Sequence, residues 1–222
     1  MDKLNRHVQL DMRRKYIAKE YSLSRVRQER DVDSLTGLNS RGFGEQFITD
    51  EFRHYVRNME SDVANFGIVY LDVDNFKMIN DTYMDYAGDT ILKIISSAIK
   101  QNIRAEDLGI RWGGDEMIIM LRGGSADELQ KIFFGDNKPN PDSKRNIYDG
   151  INQTIGNMVK EAIVNGSLPS DFIWPSNADQ VHDGRYISAG LVCASEVNSM
   201  RALIDESTSL MKKNKKDRKA GR

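Results

Sequence analysis

The chain lacks the composition of several large protein classes. It has one cysteine, Cys193, among 222 residues, which excludes an intrachain disulfide framework and is typical of a reducing compartment. Lys and Arg total 32 against 33 Asp and Glu, so no global charge favours nucleic acid or an acidic membrane. The three histidines show no metal-ligand spacing, and the N-terminus has no apolar run of signal or membrane length. We expect a cytoplasmic protein that binds no nucleic-acid polymer and has no membrane segment.

The first 30 residues form a separate segment by composition. Residues 1–30 are polar, contain no Pro or Gly, and are rich in Arg, Lys, Glu and Gln. Two interpretations stay open: an amphipathic helix that packs on its own domain, or a short coiled-coil stub that pairs two chains. Four apolar residues on a/d-type spacing support the second: Met12, Tyr16, Leu23 and Val26.

Residues 31–222 alternate strand-like and helix-like segments, with an extended segment at 123–185. Continuous β-branched and aromatic runs predict strands, and apolar residues at helical spacing predict helices. This pattern predicts one α/β (α+β) domain, a palm-like sandwich with a central, mostly antiparallel sheet flanked by helices. The predicted strands are 66–73, 186–194 and a hairpin at 108–121, and the predicted helices are 41–59, 90–104, 151–165 and one from residue 202.

The stretch Arg111-Trp-Gly-Gly-Asp-Glu-Met117 stands between two apolar runs and predicts the turn of that hairpin, with positive φ at the glycines. Taken alone, its two carboxylates are a solvated turn. Asp72 at the end of the 66–73 strand changes this interpretation, because pairing of the hairpin with that strand would bring Asp72, Asp115 and Glu116 to one edge.

Such hard oxygen ligands suit Mg²⁺ with a bound triphosphate. Lys77, after the same strand, would supply a positive charge for the phosphates. The absence of a Walker-type glycine loop excludes a P-loop enzyme.

Several motifs in order resemble the GGDEF family, the diguanylate cyclases that join two GTP into cyclic di-GMP. The resemblance covers residues 31–122 and part of 186–222. Its motifs are Asp33-Ser-Leu-Thr-Gly-Leu-Asn-Ser-Arg41, Leu71-Asp-Val-Asp-Asn-Phe-Lys-Met-Ile-Asn-Asp-Thr-Tyr83, Gly88-Asp89, Arg111-Trp-Gly-Gly-Asp-Glu116 and Ile187-Ser-Ala-Gly-Leu191.

The resemblance implies a Mg²⁺ (or Mn²⁺) site and a catalytic group at the hairpin. Asp72, the carbonyl of Val73, Asp115 and Glu116 would hold the metal. Asp115, with Glu116 beside it, would help to activate the ribose 3′-hydroxyl, and Lys77 would stabilise charge as pyrophosphate leaves.

The resemblance also implies a guanine site. Asn80 and Asp89 would hydrogen-bond the base, and a carboxylate suits guanine because it can accept from both N1–H and the exocyclic amine. Without the surrounding motif, both side chains would be assigned to turns or helix caps. Further substrate contacts would come from Phe76, Leu92 and a C-terminal cation: Lys215, or Arg218 in a second register.

Arg104-Ala-Glu-Asp107 stands where the family has its product-inhibition site, and a surface ion pair is the alternative. Because each half-site would hold one GTP, the resemblance implies a homodimer that is inhibited by cyclic di-GMP.

One departure concerns selectivity, since Met84-Asp85 replaces the family's usual Gly-His. Two other functions stay open: a catalytically weak cyclic di-GMP receptor that binds through Arg104 and Asp107, and a palm cyclase that makes another cyclic dinucleotide.

Overall fold

The structure is a computed structural model that describes residues 31–58, 65–135, 146–175 and 184–220. The predicted helix and coiled-coil positions of residues 1–30 lie outside the described residues. Within the described ranges, no helix combines the length and apolarity needed to cross a membrane.

Antiparallel strands form a four-stranded sheet in the order β2-β3-β1-β4. The central strand β1 is the continuous apolar run that the sequence marked as a strand, and both of its faces are covered. The observed architecture confirms the predicted α+β fold with an antiparallel sheet. The strands are β1 (Phe66–Val73), β2 (Leu108–Arg111), β3 (Glu116–Arg122) and β4 (Ile187–Cys193).

Helices cover the sheet on both faces. They are α1 (Arg41–Arg57), α2 (Phe76–Asn102), α3 (Ala126–Phe134), α4 (Ile147–Val164) and α5 (Met200–Lys219). Successive residues of β1 point to opposite faces, so Val69 and Leu71 enter the core beneath α2, α3 and α4. Ile68 and Tyr70 enter a second core beneath α1 and α5.

Helix α2 begins earlier than the sequence predicts. The polar stretch 74–89, expected to contain turns, is helical from Phe76 onward. The helix is interrupted at Met84, whose φ of 65° and ψ of 169° are not helical. This kink separates a first half, residues 76–83, from the apolar second half that the sequence did identify.

One helix lies where none was predicted. Helix α3 lies within the extended 123–185 segment, and its start is fixed by a capping box in which Ser125 and Glu128 exchange side-chain-to-backbone hydrogen bonds. Helix α5 begins at Met200, near the predicted start, and continues through the basic tail to Lys219. One side of the tail faces the sheet, because Asn214 and Arg218 donate to carbonyls of β4.

The predicted backbone of the hairpin turn is wrong. Neither Gly113 nor Gly114 has a φ in the left-handed region. The requirement at Gly113 is steric, because a Cβ there would lie 2.6 Å from the Oε2 atom of Glu116. A residue with a side chain would displace that carboxylate.

Candidate functional site

One end of the sheet gathers the predicted acidic residues. The hairpin pairs beside β1 as expected, and the register places Asp72 opposite Glu116. The backbone N–H of Val73 donates to the carbonyl of Asp115 at 3.2 Å. The start of β4 meets the same end, where Ser188 lies opposite Asp72. Antiparallel pairing thus unites three parts of the chain that are far apart in sequence.

Arg111 holds the hairpin turn in place. Its Nε donates to the carbonyl of Gly113 at 3.2 Å, and its Nη2 donates to the carbonyl of Gly114 at 3.0 Å. Its Nη1 donates to Asp33 Oδ1 at 3.1 Å. Burial opposes ionisation of Asp33, but hydrogen bonds from Thr36 and Arg111 outweigh that effect and lower its pKa. The turn before α1 is therefore joined to the hairpin by a charge-assisted contact.

A buried tyrosine lies beside Glu116. Burial, followed by the neighbouring Glu116 carboxylate, raises the pKa of Tyr70. A neutral phenol therefore adjoins the Glu116 carboxylate at this end of the sheet.

Two cations of α5 reach the acidic end of the sheet. Lys215 Nζ hydrogen-bonds Asp72 Oδ1 and lies 3.6 Å from Asp74 Oδ1. Arg218 Nη2 hydrogen-bonds Asp74 Oδ2 and the Ser188 hydroxyl. Both of the alternative C-terminal cations therefore lie at the acidic end of the sheet, where Lys215 pairs with Asp72 and Asp74 and Arg218 pairs with Asp74.

Asp72 and Asp74 have different environments. Asp74 is 3% exposed, and its carboxylate accepts from the Ser188 hydroxyl at 2.8 Å and from Arg218. Asp72 is partly open, and burial, followed by the charges of Asp115 and Asp74, raises its pKa against the opposing effect of Lys215. Asp74 is therefore an internal anchor for α5, while Asp72 faces the hairpin acids.

This end of the sheet offers few carboxylates for a metal such as Mg²⁺. Among the residues that the structure describes, no three or more His, Cys, Asp or Glu side chains are grouped closely enough to hold a metal. Mg²⁺ is commonly bound by one or two carboxylates together with substrate phosphates. Asp115 lies close enough for its charge to contribute to the raised pKa of Asp72. Asp72 and Asp115 fit that mode, and the Val73 N–H links β1 to the hairpin by its hydrogen bond to the Asp115 carbonyl.

The predicted guanine residues are brought together by the kink in α2. A Cβ on Gly88 would lie 1.9 Å from Asn80 Oδ1 and 3.1 Å from the Phe76 ring, so Gly88 packs directly on both. Asn80 Oδ1 is buried and has no hydrogen-bond partner among the described residues. Such an acceptor is costly unless a ligand or water donates to it.

The remaining predicted substrate residues differ in exposure. Lys77 and Asp89 are exposed, at the start and beyond the kink of α2. Leu92 is 3% exposed and belongs to the main core. It therefore supports this segment from beneath.

The two ends of the Arg104–Asp107 motif have separate environments. Asp107 is 8% exposed and accepts from the backbone N–H groups of Arg104 and Arg122 at 3.0 and 3.1 Å. Arg104 is exposed, with its guanidinium 4.0 Å from Glu106. Asp107 organises the loop before β2, and only Arg104 presents its charged group to solvent.

Sequence reasoning missed the contributions of Tyr70 and Ser188 to this site. Both are polar groups within otherwise apolar, buried strands. A polar residue in such a run is the signal that could have identified them, because buried hydroxyls require partners.

The chain is similar to known proteins in sequence and in fold. Residues 30–133 match the family described as "Diguanylate cyclase, GGDEF domain". The chain contains a GGDEF domain. Uncharacterized protein YtrP of Bacillus subtilis (strain 168) is 39% identical over 90 residues, which are 40% of this chain and 14% of that protein. Diguanylate cyclase DosC of Escherichia coli (strain K12) is 36% identical over 102 residues, 46% of this chain and 21% of DosC.

The GGDEF domain thus spans a small part of these relatives, and their whole-protein activities are not shown for it. Among solved structures, the coiled coil and GGDEF domain of DgcB from Caulobacter crescentus in complex with c-di-GMP has a TM-score of 0.65 at 15% identity. That match covers 96% of this chain and 94% of the DgcB chain. At this identity it shows the shared fold alone.

Proposed function

We propose that the GGDEF domain condenses two GTP into cyclic di-GMP and two pyrophosphates in a Mg²⁺-dependent reaction. The observation that carries the proposal is the register that brings Asp72, Asp115 and Glu116 to one end of the sheet. Mg²⁺ would neutralise charge on the triphosphate and orient it. Asp72, Asp115 and the Val73 carbonyl are the groups that would hold it, with Glu116 adjoining.

In the proposed reaction each 3′-hydroxyl oxygen attacks the α-phosphorus of the other GTP. A new oxygen–phosphorus bond forms, the bond to the β-phosphate oxygen breaks, and pyrophosphate leaves with the electron pair. Asp115, with Glu116 beside it, would receive the hydroxyl proton. Lys77 would face the leaving group, and Lys215 would move from Asp72 to the phosphates when the metal takes its place.

The base site supports a purine with donors on its edge. Asn80 Oδ1 requires a donor, and guanine presents N1–H and an exocyclic amine. Asp89 is exposed near this segment and could accept from the same groups. Adenine lacks the N1–H donor, so GTP is favoured over ATP.

Because each domain would bind one GTP, the proposed reaction needs two chains. The α-phosphate of one nucleotide must lie in line with the 3′-hydroxyl of the other, and positioning supplies much of the rate in such transfers. Product formation should therefore rise with the square of protein concentration when the dimer is scarce.

The test is incubation of the purified chain with GTP, ATP or both, with Mg²⁺, and identification of products by mass spectrometry. Asp115→Ala should abolish cyclic di-GMP formation. The matched control is Asp205→Ala, which removes an exposed carboxylate of α5 whose one ion pair within the described ranges is with Arg201 at 3.6 Å and which should leave turnover unchanged.

The outcomes separate the candidate functions. Cyclic di-GMP from GTP, lost in Asp115→Ala, supports the proposal. Tight cyclic di-GMP binding without any product would favour a receptor, and Arg104→Ala would then have to weaken that binding. An adenine-containing product would contradict the assignment of Asn80 and Asp89.

A further inference from the structure

Residues 166–175, which follow α4, contact the turn that leads into α2. The Trp174 indole Nε1–H donates to the carbonyl of Asp74 at 3.1 Å, and the Asn75 side-chain amide donates to the carbonyl of Pro175 at 2.8 Å. Asn75 has a φ of 59° and a ψ of 27°. Asparagine tolerates this left-handed conformation, which persists where surrounding contacts fix it.

The same segment contacts the end of the first half of α2. The Tyr83 hydroxyl donates to the carbonyl of Asp171 at 3.3 Å and accepts from the Ile173 N–H at 3.0 Å. Its ring lies 4.8 Å from that of Phe172, centroid to centroid. Residues 166–175 therefore hold both ends of the short helix that contains Lys77 and Asn80.

The segment is itself anchored in the main core. Leu168, Phe172 and Trp174 are 2%, 5% and 6% exposed, and all three belong to the core beneath α2 and α4. The Trp174 ring also lies edge-on to Tyr186, with centroids 4.8 Å apart. The N–H of Asp74 donates to the carbonyl of Tyr186 at 3.0 Å. Residues 166–175 are therefore fixed in the core and pack against residues 74–83.

We propose that residues 166–175 set the orientation of the first half of α2, and that Trp174 is a positioning residue for the nucleotide site. The functional part of this inference rests on the proposed function. Lys77 and Asn80 lie on the supported half-helix, while Asp72 and Asp115 lie on the sheet. The distance between phosphate and base contacts is then governed by the 166–175 segment.

The test combines hydrogen exchange with steady-state kinetics of the full chain. Trp174→Phe keeps an aromatic ring in the core and removes the donor to the Asp74 carbonyl. We expect amide exchange in residues 75–83, without nucleotide, to accelerate on the order of tenfold, since a buried acceptor is left unpaired. We expect the KM for GTP to rise on the order of tenfold and kcat to change by less than about threefold, because ground-state binding contacts are displaced.

Two further variants complete the design. Tyr83→Phe keeps the ring contact with Phe172 and removes both hydroxyl hydrogen bonds, so it should shift exchange and KM in the same direction even if Trp174→Phe fails to fold. Ser96→Ala is the matched control. It removes a buried hydroxyl that donates to the Thr36 carbonyl at 3.0 Å in the second half of α2, and it should leave exchange of residues 75–83 and the KM unchanged.

The outcomes distinguish this inference from the proposed function. Unchanged exchange of residues 75–83 in folded Trp174→Phe and Tyr83→Phe overturns the inference, whatever the activity. Faster exchange with an unchanged KM, in a chain that makes product, overturns the positioning of the nucleotide site. If the unaltered chain neither binds GTP nor forms product, the proposed function fails, while exchange still decides whether residues 166–175 support α2.

Discussion

Met84 gives the sharpest test of the backbone of the α2 kink. Its φ of 65° with a ψ of 169° lies in a region occupied almost only by glycine, and holding another residue there costs about 1–3 kcal/mol. The side chain is 76% exposed, so its truncation loses little burial. Replacement by glycine removes the strain but adds conformational entropy to the unfolded chain, which costs about 0.5–1 kcal/mol.

The comparison of Met84→Gly with Met84→Ala isolates the strain, since alanine keeps the Cβ. We expect the glycine variant to be more stable than the alanine variant by about 1 kcal/mol in urea unfolding monitored by circular dichroism. At Lys93, an exposed helical position of α2, the order should be reversed, with alanine more stable by about 1 kcal/mol. The same order at both positions would refute the strained conformation.

Three other changes test separate parts of the molecule. Burial raises the pKa of Cys193 from 9.0 to about 12, so above pH 9 the thiol ionises first in the unfolded chain. The free energy of unfolding should then fall by about 1.4 kcal/mol per pH unit relative to Cys193→Ala, up to pH 12. An equal stability difference between the two proteins at pH 8 and pH 10 would contradict this. Arg111→Lys should cost about 1–3 kcal/mol and speed amide exchange in the hairpin, because the lysine N–H groups all leave one nitrogen and cannot reach the separate acceptors that the planar guanidinium reaches from three; unchanged exchange there would show that these hydrogen bonds do not hold the turn. Lys215→Ala should tighten Mn²⁺ binding without nucleotide, measured by electron paramagnetic resonance, and slow product formation from GTP; equal Mn²⁺ affinity would show that Lys215 does not compete for Asp72.

The strands and the acidic register could be predicted because local patterns determine them. Strand β1 is a continuous apolar run, and a second carboxylate at its end identified the edge that the hairpin joins. The first half of α2 could not be predicted in this way. Most of its exposed positions are polar, as in a loop, although Met78 is an exposed apolar residue. Asn75 and Met84, at its two ends, have a positive φ that the sequence does not reveal.

The support for the site depends on contacts between distant parts of the chain. No local pattern indicates that Trp174 donates to Asp74, 100 residues away. The glycine pair of the hairpin shows a different limit. Its sequence suggested a positive φ, whereas at Gly113 the Glu116 carboxylate of the same hairpin occupies the space of a side chain. That contact depends on the direction of the Glu116 side chain, which no sequence pattern gives.

Helix α5 resolves an electrostatic problem at the end of the sheet. Burial, followed by the charges of Asp115 and Asp74, raises the pKa of Asp72, and partly buried carboxylates repel one another strongly without compensation. Lys215 and Arg218 supply that compensation from one helix. Their roles differ because Arg218 binds the 3% exposed Asp74 and serves the fold, whereas Lys215 binds the more open Asp72. Under the proposed function, a metal at Asp72 would therefore release Lys215 toward the phosphates while Arg218 keeps α5 in place.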